Sequence, residues 1–221
     1  MEAHSKPANT TLSPLVTIAS GAQDTTLTRV CVFCGAADGS RPEYKRAATV
    51  LGETLASRGI TLVYGGGSMG LMGAVADGAL SRGGTVVGVI TTLLRSRELA
   101  HQGLSELHIV ETMHERKMMM AERSEAFVVL PGGFGTLDEM FEITAWSQLG
   151  IHEKPIGLLD VNGYYDSLLR FLDHCEGEGF LRLSHRDQYR SAADPVTLID
   201  LLDSAARTRR RTRRETEGTQ R

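Results

Sequence analysis

From Arg29 onward the chain alternates short apolar runs with stretches whose apolar positions recur at helical spacing. The runs Val30–Phe33, Thr61–Tyr64, Thr85–Ile90, Leu107–Val110, Ala126–Leu130 and Pro155–Leu159 predict β-strands, and Tyr189–Ala192 predicts a weaker one. Between them Pro42–Arg58, Gly70–Arg82, Met113–Ser124, Thr136–Leu149, Tyr164–Gly179 and Pro195–Ala206 predict helices. Strands that are apolar along their whole length need cover on both faces. The alternation therefore predicts a single α/β domain over residues 29–206, a parallel sheet of about six to seven strands with helices on both faces. In such a sheet ligands bind beyond the carboxyl ends of the strands, where helix N-termini also point. The loops that follow the strands are where chemistry is expected.

Two of those loops are rich in glycine. Gly65-Gly66-Gly67-Ser68-Met69-Gly70 contains G-x-G-x-x-G between a strand and a helix. A dinucleotide site would place an acidic residue at the end of the next strand, to bind ribose hydroxyls. That strand ends Val89-Ile90-Thr91-Thr92, without a carboxylate. What remains is a loop able to bring backbone N–H groups near a phosphate. The second loop, Leu130-Pro131-Gly132-Gly133-Phe134-Gly135-Thr136-Leu137-Asp138-Glu139, runs from a strand straight into a helix. Gly132, Gly133 and Gly135 remove Cβ atoms where a phosphate could approach, and the helix start adds orphan N–H donors. Thr136-x-x-Glu139 also fits a capping box, so Glu139 reads equally as a cap or as a catalytic carboxylate.

The third piece is Met113-His114-Glu115-Arg116-Lys117. Met113, Arg116, Lys117 and Met120 share one helix face, and the two cations lie near a helix N-terminus, where the dipole disfavours them. They need an anion. His114 has no neighbouring ligand residue and reads as a surface position.

These residues resemble the LONELY GUY family, the cytokinin riboside 5′-monophosphate phosphoribohydrolases, whose members are often labelled lysine decarboxylases. The family's P-G-G-x-G-T-x-x-E signature stands as Pro131–Glu139 and its R-K pair as Arg116-Lys117. Cys31–Gly35, Val63–Ser68, Gly70–Gly73, Trp146–His152 and Gly163–Tyr165 extend the similarity over nearly all of residues 29–206, with departures at Ala36, Thr91 and Ala145. The resemblance implies a Rossmann-like fold, a homodimer with its pocket near the interface, and hydrolysis without metal or cofactor. It implies Arg116 and Glu139 as the catalytic pair, and a substrate site lined by Glu98, Arg116, Lys117, Gly133, Gly135, Thr136 and Glu139. Gly132, Gly133, Gly135 and Thr136 suit phosphate binding, and Arg116 either clamps the phosphate or aligns Glu139. Trp146 and its helix are expected to complete an apolar base pocket across the dimer. A broader nucleoside monophosphate glycosidase is one alternative. A carrier is another, because molybdenum-cofactor carrier proteins look like fold relatives.

Charge and composition adjust the edges of this picture. The formal net charge is −3, yet residues 207–221 hold seven Arg against Glu215 and Glu217, a local +5 that leaves −8 on the rest. An acidic body argues against nucleic acid as a partner, and the tail is expected to be disordered, like the Ser- and Thr-rich residues 1–28. No apolar run is long enough to span a bilayer. Three cysteines, without a second ligand pair beside Cys31-x-x-Cys34, fit buried thiols in a reducing, cytoplasmic setting.

Overall fold

The computed structural model describes residues 25–97, 100–181 and 188–219. Its strands are β1 (Arg29–Phe33), β2 (Thr61–Tyr64), β3 (Val86–Thr91), β4 (Glu106–Val110), β5 (Ala126–Val129), β6 (Ile156–Leu159) and β7 (Tyr189–Ala192). They form one seven-stranded sheet, all parallel, in the order β4-β3-β2-β1-β5-β6-β7. The helices are α1 (Pro42–Ser57), α2 (Gly70–Ser81), α3 (Thr92–Arg97), α4 (Met113–Glu122), α5 (Phe134–Gln148), α6 (Asp166–Gly177) and α7 (Pro195–Thr219).

Alternate residues of each central strand enter opposite layers, which is why the strands are apolar throughout. Val30 and Val32 pack with Leu51 and Leu55 of α1, Val75 of α2, and Leu198 and Leu202 of α7. Cys31 and Phe33 face the other way, into a layer with Met120 of α4 and Met140 and Ile143 of α5. Cys31 and Cys34 thus lie in different layers as free, buried thiols.

Strand order reverses at the β1–β5 pair, and a crevice opens there between the two following loops. The loops interlock through Gly35. Its N–H donates to Pro131 O, and its carbonyl accepts from Leu71 and Met72 N–H at the start of α2. Gly70 sits at φ +60° with the backbone of Ala36 against the place where a Cβ would project. The first N–H groups of α2 are therefore spent on the protein, and the G-x-G-x-x-G loop does not present them to a phosphate.

Several boundaries differ from the sequence expectations for physical reasons. The α5 helix starts at Phe134 with Gly133 as N-cap, so Thr136 lies inside the first turn and caps nothing. The capping box forms instead at Thr112 and Glu115, opening α4. A 3₁₀ turn, Val161–Gly163, with Asn162 left-handed at φ 56°, delays α6 to Asp166. Most consequentially, α7 does not stop at Ala206. It runs to Thr219, where a disordered tail was expected, since Ala and Arg favour the helix and Arg207 and Arg210 find Asp203 and Glu125.

The other expected extension divides in two. Residues 1–24 lie outside the described residues. Residues 25–28 are anchored: Asp203 Oδ1 accepts from Thr25 Oγ1, from Thr26 N and Oγ1, and from Leu27 N, while Leu27 is 1% exposed. Burial alone would raise the Asp203 carboxyl, but hydrogen bonds from Arg207, Thr26 and Thr25 outweigh it and hold it at about 2. Stability from this hub is fully present above the ordinary carboxylate pKa, about 4, and is lost as pH falls towards the folded value. Asp203→Ala should cost about 2 kcal/mol at neutral pH, because it orphans buried donors. Urea denaturation measures it, and the gap from wild type should narrow on acidification. An unchanged midpoint would show that residues 25–28 are not held here.

Candidate active site

The β1–β5 crevice holds a cavity of about 640 Å³. Gly35, Asp38 and Gly39 line it from the loop after β1, and Pro131, Gly132 and Gly133 from the loop after β5. The first turns of α5 add Gly135, Thr136, Asp138 and Glu139. Leu71, Met72, Leu94 and Met113 form an apolar side, Tyr44 and Tyr164 an aromatic one, and Arg116 reaches in from α4.

Arg116 is 5% exposed, and a buried guanidinium needs acceptors for its fixed fork of donors. Nη1 donates to Glu139 Oε1 at 2.9 Å, Nε to Val89 O at 3.0 Å and Nη2 to Gly65 O at 3.3 Å. The acceptors come from α5, from β3 and from the turn after β2. A Cβ on Gly65 would collide with the guanidinium, so the first glycine loop is a saddle for Arg116. Glu139 is 9% exposed. Burial pushes its carboxyl up to about 7, against the pull of Arg116, which favours the ionised form.

A family model described as "Possible lysine decarboxylase" matches residues 72–202. A protein of Oryza sativa subsp. japonica named as a probable cytokinin riboside 5′-monophosphate phosphoribohydrolase is 51% identical over 183 residues, covering 83% of this chain and 81% of its own. An Arabidopsis thaliana cytokinin riboside 5′-monophosphate phosphoribohydrolase is 48% identical over 178 residues, covering 80% of this chain and 83% of its own. The chain belongs to this phosphoribohydrolase family. Among solved structures, a molybdenum cofactor carrier protein of Chlamydomonas reinhardtii aligns with TM-score 0.61 at 21% identity, over 80% of this chain and 96% of that one. A molybdenum cofactor binding protein of Rippkaea orientalis gives 0.60 at 21%, over 80% and 95%. Both likenesses concern the Rossmann-like fold.

Of the residues expected in a phosphoribohydrolase site, the structure brings Arg116, Glu139, Gly132, Gly133, Gly135 and Thr136 to one cavity. Lys117 does not join them. Its Nζ sits 3.0 Å from Asp138 Oδ2 and 2.9 Å from Glu142 Oε2, outside the cavity lining. The anion that this cation required is thus a pair of carboxylates on α5. Glu98 lies outside the described residues. Trp146, on the later part of α5, packs against the core layer and does not line the cavity. Asp38, Tyr44 and Tyr164 were missed. The loop after β1 could have been found from the rule that ligands sit where strand order reverses. Tyr44 gives no signal in the sequence, because its distance from the glycine loop is closed only by the fold.

Proposed function

We propose that this chain hydrolyses the N-glycosidic bond of cytokinin riboside 5′-monophosphates, and of AMP more slowly, releasing free base and ribose 5-phosphate. The observation that carries the reading is the buried Arg116–Glu139 pair at the wall of a cavity built on the glycine loop. Relatives of about half identity, named for this reaction, support it. A cavity of about 640 Å³ suits a nucleotide-sized ligand.

In the proposed mechanism the C1′–N bond breaks with its electron pair leaving on the base, and positive charge builds on the ribose. The Glu139 carboxylate stabilises that charge and takes a proton from the attacking water, whose oxygen bonds to C1′. The proton taken by Glu139 passes through solvent to the departing base, which returns Glu139 to its carboxylate form. Arg116 opposes the desolvation of Glu139 and fixes its rotamer, acting as its positioning partner instead of as a phosphate clamp. The loop Gly132–Thr136 and the first N–H groups of α5 hold the 5′-phosphate, so that its binding energy orients the ribose. Leu71, Met72, Leu94 and Met113 offer apolar surface to an isoprenoid substituent on the base. Such surface favours a prenyl group without rejecting plain adenine by more than about two orders of magnitude. A carrier would gain nothing from a buried carboxylate held at about 7 against its cavity.

We also read the active form as a homodimer. Phe134, 94% exposed at the start of α5, and the exposed Phe141 and Phe171 are large apolar side chains that a second copy would cover. Light scattering should give twice the chain mass of 24.0 kDa. The mass of one chain would remove the dimer.

Glu139→Gln keeps the shape and an acceptor for Arg116, and it should lower kcat/KM by on the order of 10³ with the protein still folded. Free base released from isopentenyladenosine monophosphate, AMP and isopentenyladenosine measures the activity. The free nucleoside should react at least about a hundredfold more slowly than its monophosphate. Near-wild-type turnover in Glu139→Gln would remove the catalytic assignment, and equal rates on nucleoside and monophosphate would remove the phosphate anchor.

A further inference from the structure

The glycine loop is held by a row of donors outside the Arg116–Glu139 pair. Tyr165 Oη donates to Leu130 O at 2.6 Å, Gly35 N–H to Pro131 O at 3.1 Å, and Tyr164 Oη to Gly132 O at 2.6 Å. Consecutive carbonyls of one short segment thus each have a separate donor. The first two act where the chain is already stiff, at the end of β5 and at a proline. The third acts on the peptide that joins Gly132 to Gly133, which has no Cβ on either side to resist rotation.

A trans peptide is planar, with its C=O and N–H pointing in opposite directions. Fixing the Gly132 carbonyl therefore fixes the direction of the Gly133 N–H, one of the donors assigned above to the phosphate. The Tyr164 ring is itself braced, edge-on to Tyr44 at 5.8 Å between centroids and edge-on to Tyr165 at 5.0 Å. The turn that delivers both tyrosines holds Asn162 in the left-handed region, a conformation that costs energy in a residue other than glycine. Tyr164 is 40% exposed, so its hydroxyl could turn to water, yet it makes a short bond to the loop.

We propose that Tyr164 is a positioning residue for phosphate recognition, its hydroxyl holding the Gly132–Gly133 peptide in the orientation that receives the 5′-phosphate. The inference rests on the reading of this loop as the phosphate cradle.

Tyr164→Phe removes only the hydroxyl and leaves the ring contacts in place. Titration calorimetry with ribose 5-phosphate, steady-state kinetics on AMP and isopentenyladenosine monophosphate, and a thermal melt test it together. The Kd for ribose 5-phosphate and the KM for both nucleotides should rise about tenfold, with kcat within about twofold of wild type. Tm should stay within about 3 °C of wild type. An unchanged Kd overturns the proposal, whatever the melt shows. A fall in kcat at constant KM also overturns it, since that would put the hydroxyl in the chemistry. If wild type binds ribose 5-phosphate but cleaves neither nucleotide, the hydrolase reading fails while the tenfold loss of binding still upholds Tyr164. If wild type does not bind ribose 5-phosphate, the cradle and the positioning role fall together.

Discussion

A guanidinium out of contact with water is the constraint on which the site depends. Arg116 loses its hydration on folding, and each donor left unpaired would cost more than a hydrogen bond returns. Its acceptors are Val89 O within β3, Gly65 O just after β2 and the Glu139 carboxylate on α5. One side chain from α4 therefore ties the neighbouring strands β2 and β3 to the helix α5. The same demand explains why Gly65 has no side chain, and why Glu139 is drawn into the first turns of a helix that Gly133 caps. Breaking such a buried pair by removing one partner costs about 3–5 kcal/mol. The Arg116–Glu139 pair is thus part of the fold's support.

The β5 loop divides the remaining work. On one side Arg116 favours the ionised form of Glu139, against a burial that raises the carboxyl to about 7. On the other, Gly35, Tyr164 and Tyr165 hold the carbonyls of Leu130–Gly132. The molybdenum-cofactor proteins share the sheet at 21% identity, a likeness of fold alone, on which different sites can be built.

The strands were legible because a parallel sheet buried on both faces writes itself as unbroken apolar runs, and β2 and β7 match their expected limits. The glycines of the β5 loop likewise pointed to open space, and Gly132, Gly133 and Gly135 line one cavity. The Gly65–Gly70 loop was misread for a physical reason: a missing Cβ shows that something comes close, and here the neighbours are Arg116 and the Ala36 backbone. Lys117 was misplaced because helical spacing puts it on the face of Arg116 without revealing that Asp138 and Glu142 stand opposite. The capping box moved from Thr136 to Thr112 because a glycine can begin a helix on its backbone alone. The arginines of α7 looked like a solvated tail, although Asp203, the partner of Arg207, stands one turn earlier on the same helix; Glu125, the partner of Arg210, is brought near only once α7 packs on β6, β7 and α1.

The central claim is that Glu139 works as a carboxylate, kept available by Arg116 against its own burial. The pH dependence of wild-type kcat/KM on isopentenyladenosine monophosphate tests it most directly. Burial raises the carboxyl to about 7, so the ionised, working form is lost below that value. Activity should rise with pH through about 7, falling about tenfold per unit below it, at an inflection roughly a unit above the second ionisation of a phosphate monoester. A profile that instead declines as pH passes upward through 7 would make Glu139 a proton donor, and a flat one would take it out of the chemistry. Either result would contradict the account.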